Sequence, residues 1–423
     1  MAATVAVVLL AQNILLGESK IEQQVPRLYG SASPQFKRAM GALLGPPIVG
    51  GNRYQALLNG DQIFPPMLAA IRGAQHSISF ETYIYWSGDI GREFADALAE
   101  RARAGVKVHV LLDWLGSSKI DGEFLKQMKQ AGVAVERFHA PHWYQLDRFN
   151  NRTHRKLLVV DGQIGFTGGV GIAPLWTGNG EDAEHWRDSH FQVEGPVVAQ
   201  MQTVFMDNWM KASGQALHGD VYFPAIKPHA SSADSASDTS GGQAQMFSSS
   251  PSGGGESMHL MYLLAIQAAD RAIDLSSAYF VPDDLTQRAL TAAVARGVRV
   301  RIITPGPVTD SQIVAKASRA SWGALLAAGV QIFEYQPSMY HCKVLVVDDA
   351  LVSVGSTNFD SRSFRLNDEA NLNIYDAAFA RAQTAVFERD LAQSKPVTFA
   401  QWQARPWTDK VMEQMAALFS AQL

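Results

Sequence analysis

Two stretches of the chain carry the same reactive residues at the same spacing. Each stretch reads His-x-Lys-x4-Asp, with aliphatic residues directly before the Asp. The residues are His154, Lys156 and Asp161 in the first copy and His341, Lys343 and Asp348 in the second. After six further residues each copy reaches a small pair, Gly168-Gly169 or Gly355-Ser356. One such match recurs by chance, but two with the same flanks predict that both copies contribute to a single site.

The residue types in this motif suit phosphoryl chemistry. If the motif lies on a strand, the x residue points away, so the imidazole and the ammonium of each copy share one face. The lysine neutralises an anionic phosphoryl group while the histidine attacks it or transfers a proton. With a phosphodiester between the copies, one histidine attacks phosphorus and the other protonates the leaving oxygen. The phosphohistidine then reacts with water or an alcohol, and no metal is required because the lysine pair supplies the charge.

Residues downstream of each copy could complete this site. Ser356 and Asn358 offer a hydroxyl and an amide where phosphate oxygens need donors. Asp188 and Glu369 follow the motif histidines by 34 and 28 positions. Either acid alone would more often be an ordinary surface or capping residue. Their parallel placement predicts that each carboxylate holds the second nitrogen of an imidazole and raises its basicity.

The elements that lead up to each motif are repeated as well. In each half an amphipathic helix precedes a strand, and two more Gly-Val-rich strands follow before the motif. The matched strand segments are 74–83 with 269–278, 104–112 with 296–303, and 131–135 with 328–332. Helix, glycine and then alternating β-branched residues indicate βαβ units. The sequence therefore predicts an α/β fold, a tandem duplication of two α/β/α sandwich halves with mostly parallel sheets that form one shared active site.

The composition changes along the chain predict four regions. They are an N-terminal apolar and helical segment (1–50), a first domain (51–215), a linker and loop (216–255) and a second domain (256–423). Residues 229–242 are polar and of low complexity, which is typical of a linker. The first half also has an aromatic-rich insertion at 138–149, which could either contact substrate at the mouth of the site or pack on its own domain.

The overall composition narrows the function. The 423 residues suffice for two cores, and the net charge of −4 argues against a nucleic-acid binder. Cys342 is the one cysteine, and we expect it to be a buried small residue. A metal site at His139-x-x-His142 is not predicted, because no further ligand cluster accompanies the pair. The chain has neither a Gly-x-Ser-x-Gly elbow nor a P-loop motif.

The two ends of the chain bear on membrane contact. Residues 1–17 are uncharged and apolar but shorter than the roughly 20 residues of a full span. They fit a weak anchor, a trimmed span or a packed first helix, and we expect membrane contact. In residues 407–423, Val411, Met415, Leu418 and Phe419 recur at helical spacing. That spacing favours a helix packed on the core, with a helix lying on a membrane as the alternative.

The paired motif with its trailing Gly-Ser-x-Asn resembles the phospholipase D superfamily. The run Gly355-Ser-Thr-Asn-Phe-Asp-Ser-Arg-Ser-Phe-Arg-Leu-Asn-Asp-Glu369 is similar to the signature of bacterial cardiolipin synthases. Tyr279-Phe-Val-Pro282 and Glu81-Thr-Tyr83 also fit that branch. The resemblance extends from about Tyr54 to the end of the second half.

The resemblance implies a role for each matching residue. It implies that His154 and His341 are the catalytic pair, with His154 as nucleophile, and that Asp188 and Glu369 orient their imidazoles. Lys156, Lys343 and Asn358 would bind the phosphate, and Ser356, Gly169 and Glu81 would be further substrate-binding residues. Asp161 and Asp348 would be structural and hold the turn after each motif. One departure matters, because Gly171 stands where the family has the counterpart of Asn358. We therefore expect a lopsided phosphate cradle, with a weaker case for Gly169.

The resemblance also implies an activity. The expected reaction is phosphatidyl transfer through a phosphohistidine, with cardiolipin made from phosphatidylglycerol, no cofactor and no metal. The alternatives are a hydrolytic phospholipase D, a metal-independent nuclease and a non-catalytic membrane-binding protein. The net charge opposes the nuclease, and the intact motifs oppose the non-catalytic protein. We expect lipid substrates, association with a bacterial membrane and no nucleic-acid partner. The oligomeric state stays open, since a monomer suffices for the site.

Overall fold

The computed structural model describes residues 21, 23–139, 151–229, 241–251 and 256–418. Its helices are α1 (Pro34–Leu44), α2 (Asn59–Gly73), α3 (Asp89–Arg103), α4 (Gly122–Gln130), α5 (Val197–Ser213), α6 (Ser257–Ala268), α7 (Asp284–Ala295), α8 (Gln312–Ala327), α9 (Ser361–Arg365), α10 (Ala377–Ala392), α11 (Phe399–Ala404) and α12 (Trp407–Ala417), with a 3₁₀ turn at Pro174–Trp176. The strands of the first half are β1 (Val49–Leu58), β2 (Ser77–Thr82), β3 (Lys107–Asp113), β4 (Ala134–Phe138), β5 (Arg152–Thr153), β6 (Leu157–Val160), β7 (Ile164–Gly168) and β8 (Ser189–Glu194). Those of the second half are β9 (Gly242–Ser249), β10 (Ala272–Ser277), β11 (Phe280–Val281), β12 (Arg299–Pro305), β13 (Gln331–Tyr335), β14 (Lys343–Val347), β15 (Leu351–Gly355), β16 (Phe359–Asp360), β17 (Asn367–Tyr375) and β18 (Ser394–Val397).

The two halves repeat one strand order and join at β1 and β9. From the join outward, the first half runs β1-β8-β7-β6-β2-β3-β4 and the second runs β9-β17-β15-β14-β10-β12-β13-β18. Strands β1 and β9 are antiparallel neighbours, so the two half-sheets form one continuous sheet. The predicted tandem duplication of α/β halves is confirmed.

The prediction of mostly parallel sheets is wrong. Fifteen described strands in line make fourteen neighbouring pairs, of which four are parallel: β2–β3, β3–β4, β10–β12 and β12–β13. A helix crossover connects the members of each parallel pair. The motif strands instead belong to the hairpins β6–β7 and β14–β15, whose tight turns impose antiparallel pairing. The sheet is therefore mixed.

Glycines end the helices that lead into the parallel strands. Gly105 follows α3 with φ of 91°, and Gly297 follows α7 with φ of 90°. This left-handed conformation is easily adopted by glycine, and it terminates the helix just before the chain turns into the next strand. The repeated Gly-Val pairs of the sequence are thus the corners between helices and strands.

Helices cover both faces of the half-sheet. On β6, Leu158 and Val160 pack in a cluster with α2, α3 and α4. The alternating residues Leu157 and Val159 pack in another cluster with α5. Because successive side chains of a strand point to opposite faces, this alternation confirms the predicted α/β/α layering.

Part of the predicted linker is a central strand. Residues 242–249 form β9, which lies between β17 and β1 and buries Met246 and Phe247. The prediction of a linker at 216–255 is wrong for this stretch. The serine- and glycine-rich residues on either side suggested a linker, but backbone hydrogen bonds to β17 and β1 hold these residues as a strand. The other parts of the linker at 230–240 and 252–255 lie outside the described residues.

The C-terminal helix packs differently from the expected core helix. It lies against α8, and Glu413 and Ala416 are its buried residues. The side chains of Val411, Met415 and Leu418 are 48%, 56% and 82% exposed, so the prediction of a core-facing stripe is wrong for them. Phe419 lies outside the described residues, as does the apolar segment 1–17. In the ranges that are described, no helix is both long and apolar enough to span a membrane.

Candidate active site

The two motif histidines stand three residues before β6 and two residues before β14, and each is anchored by the other half. The backbone N–H of His154 donates to the carbonyl of Asp368 at 2.9 Å. The N–H of His341 donates to the carbonyl of Arg187 at 2.8 Å. These two bonds bring both motifs to the seam between the halves, as the repeat predicts.

Each imidazole is paired with a carboxylate from the opposite half. Nδ1 of His154 lies 2.9 Å from Oε1 of Glu369, and Nδ1 of His341 lies 2.7 Å from Oδ2 of Asp188. A proton on Nδ1 shared with the carboxylate leaves Nε2 with the lone pair. The spacing of the sequence showed one acid after each motif, and the structure crosses the two pairs.

Further donors hold each carboxylate in place. Glu369 accepts from Ser356 Oγ at 2.5 Å and from Asn367 Nδ2 at 3.2 Å. Asp188 accepts from Trp176 Nε1 at 2.9 Å and from its neighbouring backbone N–H at 2.7 Å. Both carboxylates are fully buried, so these bonds fix their orientation toward the imidazoles.

The two lysines lie beside the imidazoles. Each ammonium donates to the carbonyl of its own motif histidine at 2.7 Å, and Nζ of Lys343 also lies 3.2 Å from Nε2 of His341. Burial lowers the pKa of Lys156 to about 7, and burial likewise lowers the pKa of Lys343. The cost of burying these charges in the free site is offset when an anionic ligand enters.

The buried imidazoles are neutral in the free site. Burial lowers the pKa of His154 to about 4, although Glu369 acts in the opposite direction. Burial and then Lys343 lower the pKa of His341. Burial raises the pKa of Asp188 and Glu369, but the histidine and lysine beside each carboxylate, together with its other hydrogen bonds, outweigh burial and keep both pKa values below their ordinary range. The site thus holds neutral imidazoles against ionised carboxylates, which is the state a histidine nucleophile needs.

The histidines open onto one cavity of about 280 Å³. Four of the predicted site residues line it: His154, Lys156, His341 and Asn358. The other lining residues were not predicted as site residues: Tyr83, Ile84, Arg152, Trp176, Trp186, Tyr279, Asp310, Val314, Asp360, Arg362, Ser363 and Asn367. The rings of Trp176 and Trp186 each lie 5.4 Å from the His341 ring, and Tyr83 lies 5.1 Å from His154. Oδ1 of Asn358 has no hydrogen-bond partner in the described part of the chain, which leaves this amide available to a ligand.

Three residues predicted to bind substrate lie behind the cavity. Ser356 supports Glu369 as described above. The N–H of Gly169 donates to a backbone carbonyl, and a Cβ there would come within 2.2 Å of the Asp188 carboxylate. Glu81 is fully buried and accepts from Thr153. None of the three lines the cavity, and the residues that they contact, Glu369, Asp188 and Thr153, are themselves fully buried behind it. Substrate binding by these three stays a prediction.

The expected asymmetry of the phosphate cradle has a physical basis. Asn358 lines the cavity. A Cβ at Gly171 would lie 2.9 Å from the Cβ of Ile84 and 3.1 Å from the ring of Trp176. Close packing at this point leaves no room for a side chain on the first-half side.

The motif aspartates hold a different segment from the one predicted. Asp161 accepts from the three successive backbone N–H groups of residues 75–77, at 2.7 to 2.9 Å. Asp348 accepts from those of residues 270–272, at 2.8 to 3.0 Å, and from Ser31 Oγ. The prediction that they hold the turn after the motif is thereby corrected. They fix the corner that leads into β2 or β10.

The residue before each histidine anchors a buried layer that sequence reasoning missed. In the first half Thr153 donates to Glu81 at 2.5 Å, and Asn208 donates to the same carboxylate at 2.8 Å. In the second half Tyr340 contacts Ser276 at 2.8 Å and Asp390 at 3.0 Å. The carboxylate lies on a strand in one half and on a helix in the other. The available signal was the polar residue directly before each motif histidine.

The cluster of potential metal ligands in the described part of the chain lies outside the catalytic cavity. The clustered potential ligands within the described ranges are Glu181, Asp182 and His185, of which the two acids are exposed and none lines the cavity. His142 of the His139-x-x-His142 pair lies outside the described residues.

Comparisons with known proteins agree with this geometry. A family model described as "Cardiolipin synthase, PLD-like domain" matches residues 67–209 and 262–391, one range in each half. Cardiolipin synthase 1 of Bacillus cereus is 34% identical over 385 residues, covering 89% of this chain and 74% of the relative. Cardiolipin synthase A of Pseudomonas fluorescens is 35% identical over 361 residues, covering 85% and 73%. The crystal structure of phosphatidylserine synthase from Haemophilus influenzae shares the fold, with a TM-score of 0.69 at 14% identity over 92% of this chain and all of that one. The chain therefore belongs to the family of cardiolipin synthase, PLD-like domain proteins.

Proposed function

We propose that this protein is a phosphatidyltransferase that makes cardiolipin from two molecules of phosphatidylglycerol and releases glycerol. The observation that carries the proposal is the pair of crossed histidine–carboxylate contacts at one cavity, His154 with Glu369 and His341 with Asp188. The relatives named cardiolipin synthase support the choice of substrate.

The two histidines divide the reaction into two displacements at phosphorus. In the first, the neutral Nε2 of one histidine attacks the donor phosphodiester and forms a P–N bond. The P–O bond to glycerol breaks as the other histidine, in its protonated form, gives its proton to the departing oxygen. In the second, the acceptor's glycerol hydroxyl gives its proton to that now neutral histidine and attacks phosphorus. The P–N bond breaks, which frees the first histidine and completes cardiolipin.

The remaining residues of the site support both displacements. Lys156, Lys343 and Asn358 would bind the non-bridging oxygens, where negative charge is held throughout. Asp188 and Glu369 would hold the imidazoles in the tautomer that presents Nε2 and stabilise each ring when it carries a positive charge. The anionic phosphate raises the pKa of the imidazole that must be protonated, which offsets the effect of burial.

A product assay tests this proposal. Phosphatidylglycerol vesicles are incubated with the full chain in a chelator, and cardiolipin and free glycerol are measured. We expect equal amounts of both, with loss of both in His154→Ala and His341→Ala and no loss in Arg381→Gln, an exposed control on α10. Phosphatidic acid in place of cardiolipin would instead indicate hydrolysis. Near-normal turnover by either histidine variant, or strict dependence on a divalent metal, would contradict the mechanism.

We also propose that the protein works on a bacterial membrane surface, which α12 contacts. Trp407 and Met415 of this helix, and Leu418 directly after it, are 73%, 56% and 82% exposed. On its other side Ala416 packs with Val314, which lines the catalytic cavity. An exposed apolar stripe with a terminal tryptophan suits the interfacial region of a bilayer. The helix that carries the stripe therefore lies beside the cavity that the lipid must enter.

Vesicle flotation tests this contact. We expect Trp407→Ser with Met415→Ser to reduce co-flotation of the full chain with phosphatidylglycerol vesicles several-fold. The matched control is Ile313→Ser on α8, a single exposed apolar residue outside the stripe. Unchanged flotation of the double variant would show that another part of the chain makes the contact.

A further inference from the structure

Two arginines line the catalytic cavity on the side of His154. Arg152 is buried and stands two residues before His154, and β5 places it opposite Asn367, which donates to Glu369. Arg362 lies on α9 and lines the same cavity. Both arginines line this one cavity, and the positive charge of Arg152 adds to burial in lowering the pKa of Arg362.

The opposite side of the cavity lacks this charge. The motif histidines are 187 positions apart, so Met339 corresponds to Arg152 and Leu175 to Arg362. Both of these residues pack in an apolar cluster. The cavity wall beside His341 is instead formed by Trp176 and Trp186. The second copy of the fold thus positions its histidine with no arginine at these two positions, so the motif geometry does not require Arg152 and Arg362.

Transfer between two phospholipids brings two phosphodiesters into one small cavity. In the proposed reaction the lysine pair would bind the reacting phosphate. The acceptor carries a second phosphate, separated from its reacting hydroxyl by the three carbons of glycerol. A second anion in a partly dehydrated site needs its own cations, whereas water or a neutral alcohol brings no such charge. Two guanidinium groups offer the planar, multiple N–H contacts that suit a phosphate.

We propose that Arg152 and Arg362 bind the phosphodiester of the acceptor lipid and so favour an anionic phospholipid over a neutral acceptor. This inference rests on the proposed function, since it concerns the second substrate of that reaction. It assigns the cationic wall to acceptor recognition and leaves the displacement at phosphorus to the histidines and lysines.

One reaction mixture can measure both kinds of acceptor. The full chain is incubated with phosphatidylglycerol vesicles and excess labelled glycerol. Cardiolipin then reports transfer to a lipid acceptor, and labelled phosphatidylglycerol reports transfer to glycerol. We expect the ratio of the two products to fall about tenfold or more in Arg152→Gln and Arg362→Gln. Arg362→Lys keeps the charge and should lower the ratio less, and Arg381→Gln should leave it unchanged.

The possible outcomes separate the two levels of the proposal. Because both products form in one mixture, their ratio does not depend on how much of a variant is folded. Wild-type protein that makes cardiolipin, with both products falling equally in the arginine variants, would overturn the arginine assignment alone. Wild-type protein that labels phosphatidylglycerol but makes no cardiolipin would overturn the proposed function and the assignment together.

Discussion

Glu369 of the second half accepts the Nδ1 hydrogen bond of His154 of the first half, at 2.9 Å. The contact between His341 and Asp188 is its mirror, with the halves exchanged. Neither half alone therefore contains a complete histidine–carboxylate pair. Because both halves belong to one chain and share one continuous sheet, they are held in a fixed relative orientation, and one chain supplies both pairs.

The crossed contacts predict which imidazole responds to each acid. Glu369 raises the pKa of His154, so Glu369→Gln should lower that pKa further and leave His341 close to its original value. Asp188→Asn should do the reverse, because Asp188 raises the pKa of His341. We expect kcat to fall by about 10²- to 10⁴-fold in each variant. NMR titration with ¹⁵N-labelled histidine measures both rings. A larger response of His341 than of His154 to Glu369→Gln would contradict the crossed arrangement.

The fold and the site differ in how much of them local sequence reveals. The motif strands and their helices were predictable because hydrophobic period and glycine corners are local signals, repeated in both halves. The crossing of Asp188 and Glu369 was not, because it depends on how the two half-sheets join at β1 and β9, far along the chain from either acid. The eight-residue strand β9 was hidden by its serine- and glycine-rich neighbours. Ser356 and Gly169 lie behind the cavity, since a position beside a motif in the sequence does not show whether the residue lines the cavity.

Lys156 predicts an alkaline limit to activity. Burial lowers its pKa to about 7, so in the free enzyme it loses its positive charge as the pH rises through neutrality. We expect kcat/KM to decline above about pH 7, because an uncharged amine no longer stabilises the phosphoryl oxygens. Lys156→Arg stays charged in this range, so its decline should move to higher pH even if its maximum is lower. Steady-state kinetics from pH 5 to 10 measure both profiles, and an identical alkaline limb in the variant would contradict this assignment.

Glu81 predicts a pH-dependent stability. Burial raises its pKa to about 7 in the folded protein, against an ordinary value of 4.5 in the unfolded chain. Between these values the folded state holds the proton more tightly, so this group's contribution to stability falls as pH rises from about 4.5 to 7. Glu81→Gln stays neutral and can still accept from Thr153, so its stability should depend less steeply on pH in this window. Urea denaturation at pH 5, 6 and 7 tests this, and parallel curves for the two proteins would contradict it.

The buried carboxylate of Asp390 should contribute strongly to the stability of the second half around His341. It forms a buried ion pair with Arg187 at 2.9 Å and accepts from Tyr340, which directly precedes His341. Asp390→Asn would leave the Arg187 charge buried without its partner, so we expect a loss of about 3–5 kcal/mol in the free energy of unfolding. Glu388→Gln on the same helix is the matched control. Its partner Arg301 is 2.7 Å away, but the Glu388 side chain is 49% exposed, so about 1 kcal/mol or less should be lost. Chemical denaturation of both variants measures the two losses in the free energy of unfolding. Equal losses would show that burial of the Arg187–Asp390 pair does not increase its contribution to stability.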